Sequence, residues 1–264
     1  MSSAPTWSGE TPVERAGRAR LWWEIALVLG LSLGQSAIYS IVDIIDKSTR
    51  PQALADQVAQ VNPSQSSREL FDFLYQVLGN LFPLFAVALT IFLLWQPARS
   101  GFRRIGLDAT RPWGDLGRGG LLFLVIGIPG ILFFALTRLL GITVEVQASS
   151  LTTHWWTVPV LVLAALRAGL QEEVIVVGYL FTRLRQLGWS RWSIILGAAV
   201  LRGSYHLYQG FGPFIGNAIM GVVFGWCYTR WGRVMPLVVA HVVIDIVSFV
   251  GYPLAVAWWP SIFA

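Results

Sequence analysis

Apolar positions in this chain fall in long continuous runs, neither alternating nor confined to a one-sided helical stripe. Such runs cover Leu21 to about Val42, then about Leu70–Trp95, Gly120–Leu140, Trp155–Leu184, Trp192–Tyr208, Phe214–Tyr228 and Met235–Trp258. About twenty apolar residues suffice for a helix to cross the hydrocarbon of a bilayer. Continuous runs also argue against a barrel, whose strands alternate. The pattern predicts an all-α polytopic membrane protein with about seven transmembrane helices, in a range of six to eight. Residues 1–20 are polar and read as a cytosolic tail, and residues 21–264 read as a transmembrane helical domain. The first apolar run is too long for the core of a cleaved signal peptide. Pro83 predicts a kink in the second span. Gly30 and Gly34 predict a small-residue stripe for close packing in the first. Residues 43–69 are rich in Asp, Ser and Pro and read as an external loop, with a short helix around 52–61.

Composition agrees with the pattern. Of 264 residues, 55% are hydrophobic and 12% charged, against about 25% charged in a soluble domain. Thirteen Trp suit the interfacial belts of a membrane protein. Charge adds orientation. The tail and residues 96–119, 183–191 and 230–233 hold most of the arginines, whereas 43–69, 141–153 and 209–213 do not. Basic loops stay on the cytosolic side, so the N-terminus is expected inside and the C-terminus outside a cell membrane crossed many times. The arginines are spent on this alternation, and no nucleic-acid partner is expected. The single cysteine, Cys227, excludes a disulfide framework and a cysteine-based metal site.

The chemistry lies where the runs are interrupted. Glu172 and Glu173 stand side by side inside the fourth span. One ionised carboxylate in hydrocarbon costs several kcal/mol, and two adjacent ones repel. The fifth span carries Arg202 and His206, and the seventh carries His241 and Asp245. Each of these pairs is spaced i,i+4, on one helix face. Polar groups at membrane depth need partners, and these are the natural partners for one another, so the spans are expected to meet around one cavity. At about 1.5 Å per residue, His206 lies roughly 20 Å beyond Arg191, deeper than the glutamates. The fifth span must therefore tilt, start late or break near Gly203. His154, at the external edge beside Trp155 and Trp156, reads as a structural interfacial residue without polar company.

These residues resemble the CPBP intramembrane proteases, the CAAX-prenyl protease and bacteriocin-processing group also called Abi. That family carries Glu-Glu-x-x-x-Arg, then Phe-x-x-x-His, then His-x-x-x-Asn or Asp. Glu172 and Glu173 match the first motif, His206 the second, and His241 with Asp245 the third. Gly178-Tyr179-Leu180 is similar to the family's continuation, and Gly106-Leu107 to the segment preceding its core. The resemblance covers about residues 100–264. It departs at two positions: Val177 stands where the family has Arg, and Arg202 where it has Phe. Arg202 thus offers the missing charge from the neighbouring span. Arg167 is a poorer substitute, because five and six residues of helix turn it away from both glutamates.

The resemblance implies an intramembrane endopeptidase acting on a membrane-associated peptide or protein, with Glu172, Glu173, His206, His241 and Asp245 as catalytic candidates and Arg202 as charge partner. Glu172 is the favoured base for activating water. Glu173, His206 and His241 would suit a zinc ion, but a metal-free Glu/His route is equally open, since no His-Glu-x-x-His helix is present. The Arg-rich composition and short loops look more like a bacterial member. Two rivals stand beside this reading. Val177 favours a non-catalytic relative acting as an immunity or binding scaffold. The buried ionisable groups also suit a small proton-coupled transporter, although no internal repeat is evident.

Overall fold

The computed structural model describes residues 15–149, 151, 154–251 and 254. The described chain is mostly helical. Helix α1 (Arg15–Gly30) and α2 (Leu33–Thr49) divide the first apolar run, and they are bent by 58°. The glycines at 30 and 34 therefore mark a hinge. A Cβ at Gly30 would meet nothing within 4 Å, so the expected packing stripe is absent there. Helix α2 runs to Thr49, well into the segment read as loop. Beyond it come a 3-10 turn (Leu54–Asp56) and strand β1 (Val58–Gln60) where a short helix was expected. β1 pairs in parallel with β2 (Glu145–Gln147), Val58 opposite Glu145. The second run becomes α3 (Glu69–Leu81) and α4 (Leu84–Leu93), interrupted at Phe82-Pro83 as the proline predicts.

Helix α5 (Gly101–Ile105) leads to α6 (Pro112–Leu139), α7 (Thr157–Glu172) and, after a π-helical stretch at Glu173–Tyr179, α8 (Leu180–Gln186). Helix α9 (Arg191–Ser204) stops before His206, resolving the depth conflict by a break. Helix α10 (Phe211–Trp231) and α11 (Met235–Ile246) complete the described core, with a π-helical turn at Val247–Gly251. The expected end of the seventh span and the C-terminus beyond it lie outside the described residues, as does most of the tail.

Three helical stretches, 69–93, 112–139 and 211–231, are long and apolar enough to cross a membrane, or up to four with α1–α2 as one bent span. Their exposed Leu, Ile, Phe and Val side chains are what a lipid-facing surface requires. The rod from α7 to α8 is the opposite case: every residue from Gln171 to Leu184 is buried. Apart from its few polar residues this stretch is apolar on all sides, as an interior helix is, and it packs against α4, α9, α10 and α11.

Close backbone approach holds these helices together. A Cβ at Gly169 would sit 2.7 Å from Val242 Cγ2, and one at Gly221 2.9 Å from Ala199 Cα. Small residues permit such contact between membrane helices. Outside the spans, the Ile105 and Gly106 carbonyls accept from the Val234 and Met235 amides at 2.8 and 3.2 Å. Gly106 is left-handed (φ 67°) and lies against Arg233. Arg233 donates to Asp115 at the start of α6 (2.6 Å) and to Asp108 (3.0 Å). This knot fixes the base of α11, the helix that carries His241 and Asp245.

Candidate functional site

Glu172 ends α7 and Glu173 opens the π-helical stretch. Single π-helical turns recur at functional sites because they re-aim side chains within a helix. The two carboxylates go to different environments. Glu173 is sealed, at 0% exposure, and its Oε1 accepts from Arg202 at 2.7 Å and contacts His241 Nδ1 at 2.7 Å. Glu172 keeps a more open side chain, 11% exposed against 0% for Glu173. Its Oε2 accepts from the Tyr205 hydroxyl at 2.8 Å and lies 3.4 Å from Arg202 and 4.0 Å from His241 Nε2.

Arg202, on the last turn of α9, is the hub. One guanidinium nitrogen meets Glu173, and the other lies 3.1 Å from His241 Nδ1 and 3.8 Å from Met220 Sδ. The guanidinium carbon sits 5.2 Å from the centroid of the Phe224 ring. Buried charges are tolerated only with such pairing. Val177 is buried among apolar side chains and contributes no charge.

His241 spans the cluster. A ring nitrogen carries either a proton or a lone pair, so its Nδ1 cannot donate to Glu173 and accept from Arg202 at once. The shorter approach to a carboxylate assigns the proton to Nδ1, donated to Glu173, and leaves the Arg202 contact as proximity. Nε2 then faces Glu172 and Asp245, the latter at 3.5 Å. His206 stands just past the end of α9, on the turn. Its Nδ1 is 3.0 Å from the Arg202 carbonyl; a carbonyl only accepts, so Nδ1–H donates and Nε2 keeps its lone pair. The structure thus gathers Glu172, Glu173, Arg202, His241 and Asp245 into one cluster and ties His206 to it through the Arg202 backbone.

The zinc ligands expected from sequence do not converge. A zinc site needs lone pairs aimed at one point about 2.0–2.2 Å away. Here Glu173 Oε1 is engaged by Arg202 and His241; the Nδ1–H donations of His241 and His206 leave both Nε2 lone pairs free, as in metal-binding histidines, so placement and not tautomer decides the fit. Among the described residues no group of three His, Cys, Asp or Glu side chains is arranged to hold a metal ion. Glu173, His206 and His241 do not fit a zinc ion in this arrangement.

Tyr205 went unnoticed in the sequence, although it stands beside His206, three residues past Arg202, where a phenol at membrane depth needs an acceptor. His154 is not without polar company: its Nδ1 lies 3.3 Å from Glu69 and its ring stacks on Trp156. Arg183, read as a cytosolic loop charge, is buried in α8, where it donates to Glu24 and to the Leu93 carbonyl, both at 2.7 Å. Arg167 bonds neither glutamate. It lies 3.4 Å from Asn80 Oδ1 and 3.4 Å from Gln171 Oε1.

Residues 154–247 match the model of one protein family, the type II CAAX prenyl endopeptidase Rce1-like family. The matched segment runs from the start of α7 through α11 and contains every residue of the cluster. No curated protein and no solved structure matches the chain.

Proposed function

We propose that this chain, which through residues 154–247 belongs to the CPBP/CAAX protease family, is an intramembrane endopeptidase in which Glu172 activates water. The observation carrying this reading is the division of labour between the two glutamates. Glu173 is closed in by Arg202 and His241 and orients the imidazole. Glu172 faces the open side with His241 Nε2, Asp245 and His206. Glu172 takes a proton from water as the water oxygen attacks the peptide carbonyl, and then returns it to the departing amine. Tyr205 steers the carboxylate. Once protonated at Nε2, His206 and His241 would donate to the oxyanion, and Asp245 holds His241. No step requires a metal.

Arg202 takes the part that the family's motif arginine would play from position 177. It neutralises Glu173 from the adjacent helix, which favours a working site over a silent relative. The substrate is a peptide or protein held at the membrane. The seven-span arrangement with a cytosolic N-terminus completes this reading, with α7–α8, α9 and α11 as the site-bearing spans.

Cleavage of a membrane-tethered reporter by the purified, reconstituted protein tests the proposal. Glu172→Gln and His206→Ala are each expected to abolish cleavage while the protein stays folded, and a chelator is expected to leave the wild-type rate unchanged. Cleavage retained in Glu172→Gln would overturn the assignment of the base. Loss of activity on chelation, restored by zinc, would overturn the metal-free route.

A further inference from the structure

Helix α2 lies outside residues 154–247, yet one face of it is committed to the site. Its buried positions are Leu33, Ala37, Ser40, Ile44 and Lys47. They are spaced by four and three residues in turn, which makes one stripe of an α-helix. A stripe built for packing alone needs no polar member, and buried polar groups require partners. Ser40 and Lys47 find theirs in the same short segment. Ser40 Oγ donates to the Tyr205 carbonyl at 3.1 Å, and Lys47 Nζ to the Tyr208 carbonyl at 2.9 Å. Asp43, one turn earlier on α2, accepts from the same ammonium. Lys47 is the only lysine in the chain, and a compact ammonium on a flexible stem can meet both acceptors from one point.

The two carbonyls bracket His206. Helix α9 ends at Ser204, so the peptide groups that follow must find partners outside a helix. A short 3-10 turn, Leu207–Gln209, comes next. Its exit is held by the Val144 amide, which donates to the Gln209 carbonyl at 3.1 Å. Its entry and middle are held from α2. The Tyr205 carbonyl belongs to the peptide plane that joins Tyr205 to His206. Fixing that plane fixes the direction in which both side chains leave the backbone. Tyr205 is thereby aimed at Glu172, 2.8 Å from its hydroxyl, and His206 at the Arg202 carbonyl, 3.0 Å from its Nδ1.

We propose that Lys47 and Ser40 are positioning residues, which hold the segment 205–208 so that Tyr205 and His206 are presented correctly to the site. The inference rests on the peptidase reading and extends it to a helix outside the matched segment. Neither residue touches the reacting atoms; both act through the backbone that carries His206. A hydrogen bond from an ammonium is charge-assisted and stronger than a neutral one, so Lys47 has the larger share. His206 acts on the oxyanion, which is absent from the bound substrate. A displaced turn therefore lowers kcat and leaves KM in place.

Kinetics of the full chain in liposomes, with a membrane-tethered peptide reporter, test this. Lys47→Met is expected to lower kcat about tenfold to a hundredfold, the scale of an ångström-sized misplacement, with KM unchanged. Lys47→Arg is expected to restore part of the rate. Ser40→Ala, a smaller change that carries the test should Lys47→Met not fold, is expected to lower kcat less. Asp72→Asn supplies the comparison. It disturbs a buried carboxylate bonded to Ser64, Gln65 and Gln76, none of them in the turn, and is expected to lower the melting temperature at an unchanged kcat. Magnetic resonance of protein labelled at the histidine ring nitrogens gives a readout without turnover. The His206 signal, identified by its loss in His206→Ala, is expected to shift in Lys47→Met and to move back in Lys47→Arg. A wild-type kcat in Lys47→Met or Ser40→Ala, a loss confined to KM, a fall in kcat reproduced by Asp72→Asn, or an unmoved His206 signal would overturn the proposal. If the wild-type protein cleaves no reporter, the peptidase reading fails and the resonance alone decides: a Lys47-dependent shift supports control of the turn from α2, and no shift overturns it.

Discussion

The glutamate pair shows how two identical side chains acquire different surroundings from a single step along a helix. Glu173 turns inward to a guanidinium and an imidazole, whereas Glu172 turns to a phenol and the more open side. Arg202 sets that difference. Removing one member of a buried ion pair strands its partner, at a cost of about 3–5 kcal/mol. Arg202→Met is therefore expected to lower the melting temperature in detergent and abolish cleavage, and adding Glu173→Gln to recover part of the stability but not the activity. The paired change Val177→Arg with Arg202→Phe restores the family's arrangement and is expected to regain cleavage that Arg202→Phe alone lacks. A folded but inactive double variant would show that position 177 cannot supply this charge. Glu172, Glu173, His206, His241 and Asp245 were all legible in the sequence, because ionisable residues inside apolar runs announce themselves. Tyr205 was not, since an aromatic residue near a span end reads equally well as an interfacial anchor.

Among the helices, the site depends on breaks as much as on spans. Helix α9 ends at Ser204, which lets His206 swing onto a turn and bond back to the Arg202 carbonyl. The π-helical stretch begins at Glu173 itself. Neither feature follows from hydropathy, which reports how apolar a stretch is but not how its hydrogen bonds are registered. Helix α11 is held at its base by Arg233, Asp115 and Asp108. Burial alone would raise the pKa of Asp108, but hydrogen bonds from Thr110 and Arg233 outweigh it and hold the pKa below its ordinary 3.8. A carboxylate with a lowered folded pKa binds fewer protons in the folded state, so it adds stability above the unfolded value and loses it as acid carries the pH below. Thermal stability is therefore expected to fall as pH drops from about 5 toward 2, and less steeply in Asp108→Asn, as measured by melting curves across that range. An unchanged slope in the variant would remove Asp108 from the account.

The arrangement across the bilayer follows from where the arginines lie. Residues 96–111, which hold Arg99, Arg103, Arg104 and Arg111, and the Asp108–Arg233 knot are expected on the cytosolic side, and β1 and β2 on the opposite side. In a Cys227→Ala background, a cysteine at Ser67 is expected to react with a membrane-impermeant maleimide on intact cells, and one at Arg111 only after the cells are opened. The reverse pattern would invert the topology. Two buried arginines, Arg183 and Arg233, show why loop counting is an imperfect guide. Both were counted by their place in the sequence, yet both are engaged in holding helices together.

The order of residues alone pointed to a helical membrane protein and singled out the ionisable residues that the structure gathers, because the cost of burying charge in hydrocarbon is local and visible position by position. The meeting of those residues, the sealing of Glu173 and relative openness of Glu172, the recruitment of Tyr205 and the failure of the zinc ligands to converge were decided only when the helices packed. Those outcomes depend on distances of a few ångströms between residues as many as 69 positions apart in sequence, such as Glu172 and His241, and no periodicity along the chain encodes them.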